Sequence, residues 1–237
     1  MKGLILAAGF GTRLGKLTEG TPKALIRVGN KPILDHSIRK LIDVGITEIM
    51  INTHFLAEQV EYFFSTKDYP AKITRVFEPE LLGTAGTIKA NLDFFGTSDF
   101  LVMHADNYFT SGLGSLVDAH TNRSANTEMT MATFSTKSPE LCGTVITDSA
   151  GIVVDFFEKS KDSTSLKANS AIYIFSQLAK ERILNLTKDE NDISLNLIPK
   201  MLGRIQSHHL QGDFIDIGTP SGLQAANISC LNNQAEK

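Results

Sequence analysis

The stretch that decides the fold is Lys2-Gly3-Leu4-Ile5-Leu6-Ala7-Ala8-Gly9-Phe10-Gly11-Thr12-Arg13-Leu14. Its apolar half reads as a buried strand over Lys2–Leu6. The glycines that follow let the backbone approach an anion closely, with its N–H groups pointing inward, so the loop is suited to phosphates. Two other glycine loops are excluded by spacing. The sixth position of G-x-G-x-x-G is Leu14 rather than glycine, and no Gly-Lys-Ser/Thr triplet follows as a P-loop requires. A secretion signal is not expected here, because the apolar run from Leu4 to Ala8 is shorter than the roughly 7 residues such a segment needs.

Outward from this strand, helix and strand periods alternate. A helix is predicted near Ile33–Val44, where Leu34, Ile38, Leu41 and Ile42 share a face between Pro32 and Gly45. A strand Glu48–Asn52, an amphipathic helix carrying Leu56, Val60, Phe63 and Phe64, a strand Lys72–Phe77, a helix after Gly86 and a strand Phe100–His104 follow. This order predicts a mostly parallel, doubly wound first half. Further on, Glu128–Phe134, Thr144–Thr147 and Ile152–Glu158 read as strands, with a turn at Asp148-Ser149-Ala150-Gly151 that marks a hairpin. A strand Ala168–Phe175, a helix, a helical segment around Ile193–Leu202, a strand pair near Ile205–Ile217 and a last helix complete the chain. The expected fold class is α/β: a Rossmann-like three-layer α/β/α sandwich with a mostly parallel mixed sheet.

Composition bounds the function. The chain has 237 residues, a size for one α/β domain, with 42% hydrophobic and 21% charged residues, so it can bury a core and is neither a disordered tail nor a rod. A net charge of −3 offers no basic field, which argues against nucleic acid and anionic membranes as partners but not against small phosphate ligands. No span approaches the ~20 apolar residues of a membrane helix. The two cysteines, Cys142 and Cys230, fit no zinc or disulfide pattern, so a reducing cytoplasm is the expected compartment.

The string L-A-A-G-F-G-T-R-L, followed by Thr21-Pro22-Lys23-Ala24-Leu25 and Asn30-Lys31-Pro32-Ile33-Leu34, resembles the signature of the nucleotidyltransferases that make nucleotide-sugars from a nucleoside triphosphate and a sugar 1-phosphate. The resemblance runs over almost the whole chain, treated as a single domain over 1–237 with a nucleotide half to about 110 and a sugar-phosphate half beyond. It implies the fold of nucleotide-diphospho-sugar transferases and assigns Leu6, Ala7, Ala8, Gly9, Gly11, Thr12, Arg13 and Lys23 to the nucleotide, with Arg13 and Lys23 on the triphosphate. Glu78-Pro79-Glu80-Leu81-Leu82-Gly83-Thr84-Ala85-Gly86 resembles the base-recognition loop, which assigns Glu78, Gly83, Thr84 and Ala85 to the base.

Asp106, just past the end of an apolar strand, matches the metal aspartate of the family, although Ala105 stands where many relatives have glycine. Asp216 in D-I-G-T-P resembles the second, so the resemblance implies that both hold one Mg²⁺, a hard ion that prefers oxygen ligands and the substrate's phosphates. Gly143, Glu158, Lys159 and Asn169 match the sugar-phosphate side, with Ala171 in place of the commoner glycine of N-x-G-x-Y. Arg13, Lys23, Asp106, Lys159 and Asp216 are thus the expected catalytic residues.

The implied activity joins a nucleoside triphosphate and a sugar 1-phosphate into a nucleotide-sugar and pyrophosphate. The Leu82–Gly86 string is most similar to mannose-1-phosphate guanylyltransferases and their manno-heptose relatives, which points to GTP. Uridylyl-, thymidylyl- and cytidylyltransferases for another sugar 1-phosphate or phosphocholine, a molybdopterin-type guanylyltransferase and a non-catalytic nucleotide-sensing relative remain alternatives. The chain ends soon after the Asp216 motif, so no C-terminal β-helix domain is expected, and a homodimer is the expected assembly. His208-His209 is expected as an exposed pair rather than a metal site, His104 as a core residue, and Phe63, Phe64, Phe94, Phe95, Phe156 and Phe157 as core.

Overall fold

A computed structural model describes residues 1–235. The chain divides into two compact units, each assembled from separate segments. One, the phosphate-loop unit, comprises Gly3–Leu81, Met103–Leu113 and the chain from Gly212 onward; the other, the hairpin unit, comprises Met1–Lys2, Leu82–Val102 and Gly114–Gln211. The strands make a mixed parallel and antiparallel sheet with helices.

In the phosphate-loop unit the strands Lys2–Leu6, Glu48–Thr53 and Lys72–Phe77 run parallel in that order, with Ile5 opposite Ile51 and Ile51 opposite Arg75. The centres of the first two, Leu4-Ile5 and Ile49-Met50-Ile51, are apolar and buried, as a strand covered on both faces must be. The helix Ile33–Asp43 begins directly after Pro32 and stops before Gly45, which takes a φ of +80°. It buries Leu34, Ile38 and Leu41 completely. Gly3 lies under it: a Cβ there would sit 2.8 Å from Leu41 Cδ1. The strand Lys72–Phe77 is more exposed, with Phe77 turned to solvent.

The last segment of the chain returns to this unit. Phe214–Asp216 pairs antiparallel with Asn107–Phe109, setting Asp216 opposite Asn107. The helix Pro220–Ala235 then adds Ala226 and Cys230 to a core of Leu14, Ile26, Val28, Ile33, Tyr108 and Ile217.

The hairpin unit is antiparallel around Lys167–Phe175, which pairs with Met129–Ser135 and, at Ala168, with Thr144. Gly143–Thr147 and Val153–Glu158 form the expected hairpin; Asp148 Oδ1 accepts from the N–H groups of Ala150 and Ile152, both at 2.9 Å, and so closes the turn. Phe95, Phe100 and Phe175 stack in its core, with ring centroids 4.0 and 5.2 Å apart.

Several expectations are corrected. The strands near Ile205–Ile217 do not pair with each other: Ile205–His209 lies parallel to Met129–Ser135, and Phe214–Asp216 joins Asn107–Phe109. The helix expected after Gly86 starts at Thr84. The segment at Ile193 opens with a π turn, Ile193–Leu197, before the α turn Ile198–Met201. Of the six phenylalanines expected in the core, Phe63 and Phe95 are buried and the other four are half-buried. His208 and His209 are half-buried rather than exposed, with His208 Nε2 3.0 Å from Ser115 Oγ.

Candidate functional site

In the phosphate-loop unit the end of the first strand is held by its neighbour. The Ala7 N–H donates to Asn52 Oδ1 (2.7 Å), and Asn52 Nδ2 donates to Glu78 Oε1 (3.0 Å). Leu6, Ala7, Asn52 and Glu78 therefore form one connected group, with Glu78 only 2% exposed. Asn52 was not among the expected site residues; its signal was a polar side chain directly after the apolar run Ile49-Met50-Ile51. His54 Nδ1 lies 2.7 Å from the Glu78 carbonyl oxygen, and its ring meets the exposed Phe10 edge-on at 5.1 Å.

Beyond the first strand, Gly9 and Gly11 turn the chain. Gly11 has a φ of +69°, and a Cβ there would lie 2.9 Å from Lys23 Cβ, so the Lys23 stem runs against the loop backbone. Thr12 opens a short 3₁₀ segment that carries Arg13.

Four charged side chains converge here. Lys23 Nζ donates to Asp106 Oδ2 and lies 3.8 Å from Asp216 Oδ1, while Arg13 Nη2 is 3.2 Å from Asp216 Oδ2. The Gly218 N–H donates to Asp216 Oδ1 at 2.6 Å. Gly218 marks the centre: an added Cβ would sit 2.6 Å from Arg13 Nη2, 2.7 Å from Asp216 Oδ1 and 2.9 Å from Lys23 Nζ. Two cations and a carboxylate thus close on the Gly218 backbone, and a side chain there would have to displace them. Lys23 and Asp106 are mostly enclosed, with 11% and 26% of their side chains exposed, whereas Arg13 and Asp216 face solvent at 61% and 45%. Burial pushes the Asp106 carboxyl up, but Lys23 and then His104 outweigh it, so Asp106 sits below the usual carboxylate range.

A divalent ion fits this arrangement. Two carboxylates, Asp106 and Asp216, both bring oxygen atoms to the Lys23 ammonium, so a cation is already held by the pair. Asp106 and Asp216 would hold the ion together with a ligand's phosphates; no group of three or more His, Cys, Asp or Glu is arranged for a metal among the described residues. Lys23 would then turn from Asp106 to the ligand.

The remaining expected residues lie in the hairpin unit. Gly143 stands opposite Glu158 in the antiparallel ladder, and a Cβ on it would come within 2.7 Å of both Glu158 Oε2 and the Phe156 ring, so both side chains close on the glycine. Burial pushes the Glu158 carboxyl up, Lys159 opposes it and Asp192 adds to it, leaving the group above its ordinary value. Lys159 takes a φ of +48°; its side chain is exposed, with Nζ 3.7 Å from Glu158 Oε1. Asn169 Nδ2 donates to the Tyr173 hydroxyl (2.7 Å), and Asn169 Oδ1 accepts from the Ala171 N–H (2.9 Å). Ala171 has a φ of +54°, so the left-handed turn usually given to glycine is kept by an alanine.

Gly83, Thr84 and Ala85 are engaged by a segment the sequence did not single out. The N–H groups of Ala85 and Gly86 donate to the Asn191 carbonyl at 2.8 and 3.2 Å, and Thr84 Oγ1 accepts from the Ile193 N–H at 2.8 Å. Nothing in the spacing of Asn191-Asp192 marks it out, because its partner loop is distant in sequence.

A family model for nucleotidyl transferases matches residues 2–233. The chain belongs to the nucleotidyl transferase family. It is 32% identical over its whole length to the mannose-1-phosphate guanylyltransferase catalytic subunit beta of Drosophila melanogaster, of which it spans 64%. It is 30% identical, again over its whole length, to the low-salt glycan biosynthesis nucleotidyltransferase Agl11 of Haloferax volcanii, spanning 68% of that protein. Among solved structures it is similar to a putative glucose-1-phosphate thymidylyltransferase from Bacillus anthracis, with a TM-score of 0.86, 28% identity, and 96% and 94% of the two chains covered. An apo UDP-glucose pyrophosphorylase shares the fold at a TM-score of 0.84 and 19% identity, with 99% of each chain covered. Among the described residues no helix is long and apolar enough to cross a membrane.

Proposed function

We propose that this nucleotidyl transferase joins a nucleoside triphosphate to a sugar 1-phosphate, forming a nucleotide-sugar and releasing pyrophosphate. The observation that carries the reading is the convergence of Arg13, Lys23, Asp106 and Asp216 around the Gly218 backbone. A transfer at the α-phosphorus brings two phosphate groups together and spreads negative charge over oxygen, so cations held in place supply most of the catalysis. In this reading Arg13 and Lys23 take the triphosphate, Lys159 takes the phosphate of the acceptor, and Gly143, Glu158 and Asn169 take its hydroxyls. Leu6, Ala7, Ala8, Gly9, Gly11 and Thr12 shape the nucleotide loop. A bound Mg²⁺ on Asp106 and Asp216 would supply charge neutralisation of the triphosphate.

The acceptor is its own nucleophile. A phosphate monoester has a second pKa of about 6, so its oxygen is anionic at neutral pH and attacks the α-phosphorus in line with departing pyrophosphate; no protein base is needed. GTP with mannose or manno-heptose 1-phosphate is the proposed pair. Relatives named as mannose-1-phosphate guanylyltransferases support it, and so does the resemblance of the Leu82–Gly86 string to theirs. Gly83, Thr84 and Ala85 shape the base loop.

The test is pyrophosphate release with Mg²⁺ across GTP, UTP, dTTP, CTP and ATP, each with hexose, heptose and amino-sugar 1-phosphates and phosphocholine. Preference for GTP with a manno-configured acceptor is expected. A pyrimidine preference would discard the reading of the Leu82–Gly86 string as a guanine loop and keep the mechanism, and silence from folded protein would favour a non-catalytic nucleotide sensor.

A further inference from the structure

Within the phosphate-loop unit Glu78 is gripped by three consecutive residues, Asn52, Thr53 and His54, that lie outside the glycine-loop and base-loop strings. Asn52 Nδ2 donates to Glu78 Oε1 at 3.0 Å, the Thr53 carbonyl accepts from the Glu78 N–H at 2.8 Å, and His54 Nδ1 lies 2.7 Å from the Glu78 carbonyl oxygen. A carbonyl only accepts, so His54 carries a proton on Nδ1 and donates it there. Side chain, N–H and C=O of Glu78 are thus all engaged, directly beyond the point where Thr53 pairs with Phe77.

The same strand end also holds the phosphate loop. Asn52 Oδ1 accepts from the Ala7 N–H at 2.7 Å, which commits that amide to the protein and joins the loop to Glu78 through one side chain. The His54 ring meets Phe10 edge-on at 5.1 Å and stacks on Phe77 at 6.5 Å, and Phe55 brings a further ring to 5.8 Å from Phe10. Leu56, which turns the chain from these rings into the helix Ala57–Ser65, takes a left-handed φ of +51°. That conformation is strained for a leucine and persists only where surrounding contacts impose it.

The two partners of Asn52 call for an amide. The Ala7 N–H needs an acceptor and the Glu78 carboxylate needs a donor, and Asn52, 3% exposed, supplies one from each side of the same group. An aspartate would keep the acceptor for Ala7 but face Glu78 with a second carboxylate.

We propose that Asn52 and His54 are positioning residues for the nucleotide: by tying Ala7 and Phe10 to Glu78, they set the phosphate loop at a fixed distance from the residue that leads into the base loop. The spacing then exists before the nucleotide arrives, so binding energy is not spent on ordering it. This inference rests on the function proposed above.

The experiment uses the full chain and the nucleotide of the five-member panel that the wild type binds most tightly. Its dissociation constant with Mg²⁺ is measured by titration calorimetry without acceptor, and the KM values for nucleotide and sugar 1-phosphate by pyrophosphate release, with melting temperatures alongside. Losing a hydrogen bond to a charged group predicts a rise of about 10- to 100-fold in both the dissociation constant and the KM of the nucleotide in Asn52→Asp. The KM for the sugar 1-phosphate, and kcat at saturation, should stay within about threefold, the split expected of a residue that serves one substrate. Glu78→Gln supplies an amide that can donate to the new carboxylate, so in that background Asn52→Asp should weaken nucleotide binding by no more than about threefold. His54→Phe keeps a ring against Phe10 but loses the bond to Glu78, and should raise the nucleotide constants by about 3- to 10-fold with the acceptor KM unchanged. Should Asn52→Asp fail to fold, His54→Phe decides the inference by the same split.

Nucleotide affinity unchanged in both single variants, equal rises in the two KM values, or an Asn52→Asp effect undiminished in the Glu78→Gln background would overturn the inference while leaving the proposed function standing. A wild type that binds a nucleotide but turns over no pair would overturn the function, and the binding constants alone would then decide the inference. A wild type that binds none of the five nucleotides would overturn both.

Discussion

Asp106 shows how much a single residue can carry without supporting the fold. It lies past the end of the strand Phe100–His104, its charge answered by Lys23, and the side chain is not part of the apolar core. Asp106→Ala is expected to lower the rate of pyrophosphate release by at least about a hundredfold, a loss typical of removing one charge-stabilising group. Its thermal melt should stay near that of the wild type; normal turnover would remove Asp106 from the site. Ala171 is the converse case, a residue the backbone would exchange. Its left-handed φ costs an L-residue roughly 1–2 kcal/mol, whereas the added freedom of glycine in the unfolded chain costs about 0.4–1 kcal/mol. Ala171→Gly should therefore raise the melting temperature slightly, with a net gain of roughly 0.5–1 kcal/mol in denaturant titration.

At the scale of elements, close packing sets what each strand tolerates. The helix Ile33–Asp43 lies so near the first strand that Gly3 is pressed by Leu41 and by Ile46, whose Cγ2 would be 3.3 Å from an added Cβ. Gly3→Ala should cost about 1–3 kcal/mol, as overpacking of a filled core does, and the denaturant midpoint will report it. The hairpin applies the same steric logic to a polar contact: Glu158 rests over Gly143 because nothing projects from that position. The early start of the helix at Thr84 has a comparable cause. Gly86 is a poor helix former, so sequence reading places the helix after it. The Asn191 carbonyl, however, gives the Ala85 and Gly86 amides an acceptor and lets the helix begin sooner.

For the whole molecule, the buried His120 makes stability depend on pH. Its Nδ1 lies 2.8 Å from Thr130 Oγ1 and its Nε2 3.1 Å from Asp99 Oδ2, and Arg123 also binds Asp99 at 2.9 Å. Burial, with Arg123 behind it, pushes the imidazole down to about 4 against the opposing pull of Asp99. The folded-state value is thus below that of the unfolded chain, near 6.5, so between these values the unfolded chain binds a proton that the native one does not. Stability should be fully present above about pH 6.5 and decline as the pH falls through that window to about 4. Melting curves between pH 7.5 and 4 test this, and His120→Gln should flatten that part of the profile.

Local order was legible in the sequence by itself. The strand Lys2–Leu6, the glycine turn, the helix begun by Pro32 and the Asp148–Gly151 hairpin depend on hydrophobic period and turn chemistry, which act over a few residues. So did the identity of the charged groups Arg13, Lys23, Asp106 and Asp216, since their motifs are contiguous strings. Only the tertiary structure decided what depends on distant segments. It showed that Phe214–Asp216 pairs with Asn107–Phe109 rather than with Ile205–His209, which brings Asp216 to Lys23. It showed that Asn52 bonds Glu78, and that Asn191–Ile193 closes on the Gly83 loop. Strand pairing and hydrogen bonds between remote residues leave no periodic trace in a chain, because each partner's own neighbourhood is satisfied by many alternatives until the backbone has folded.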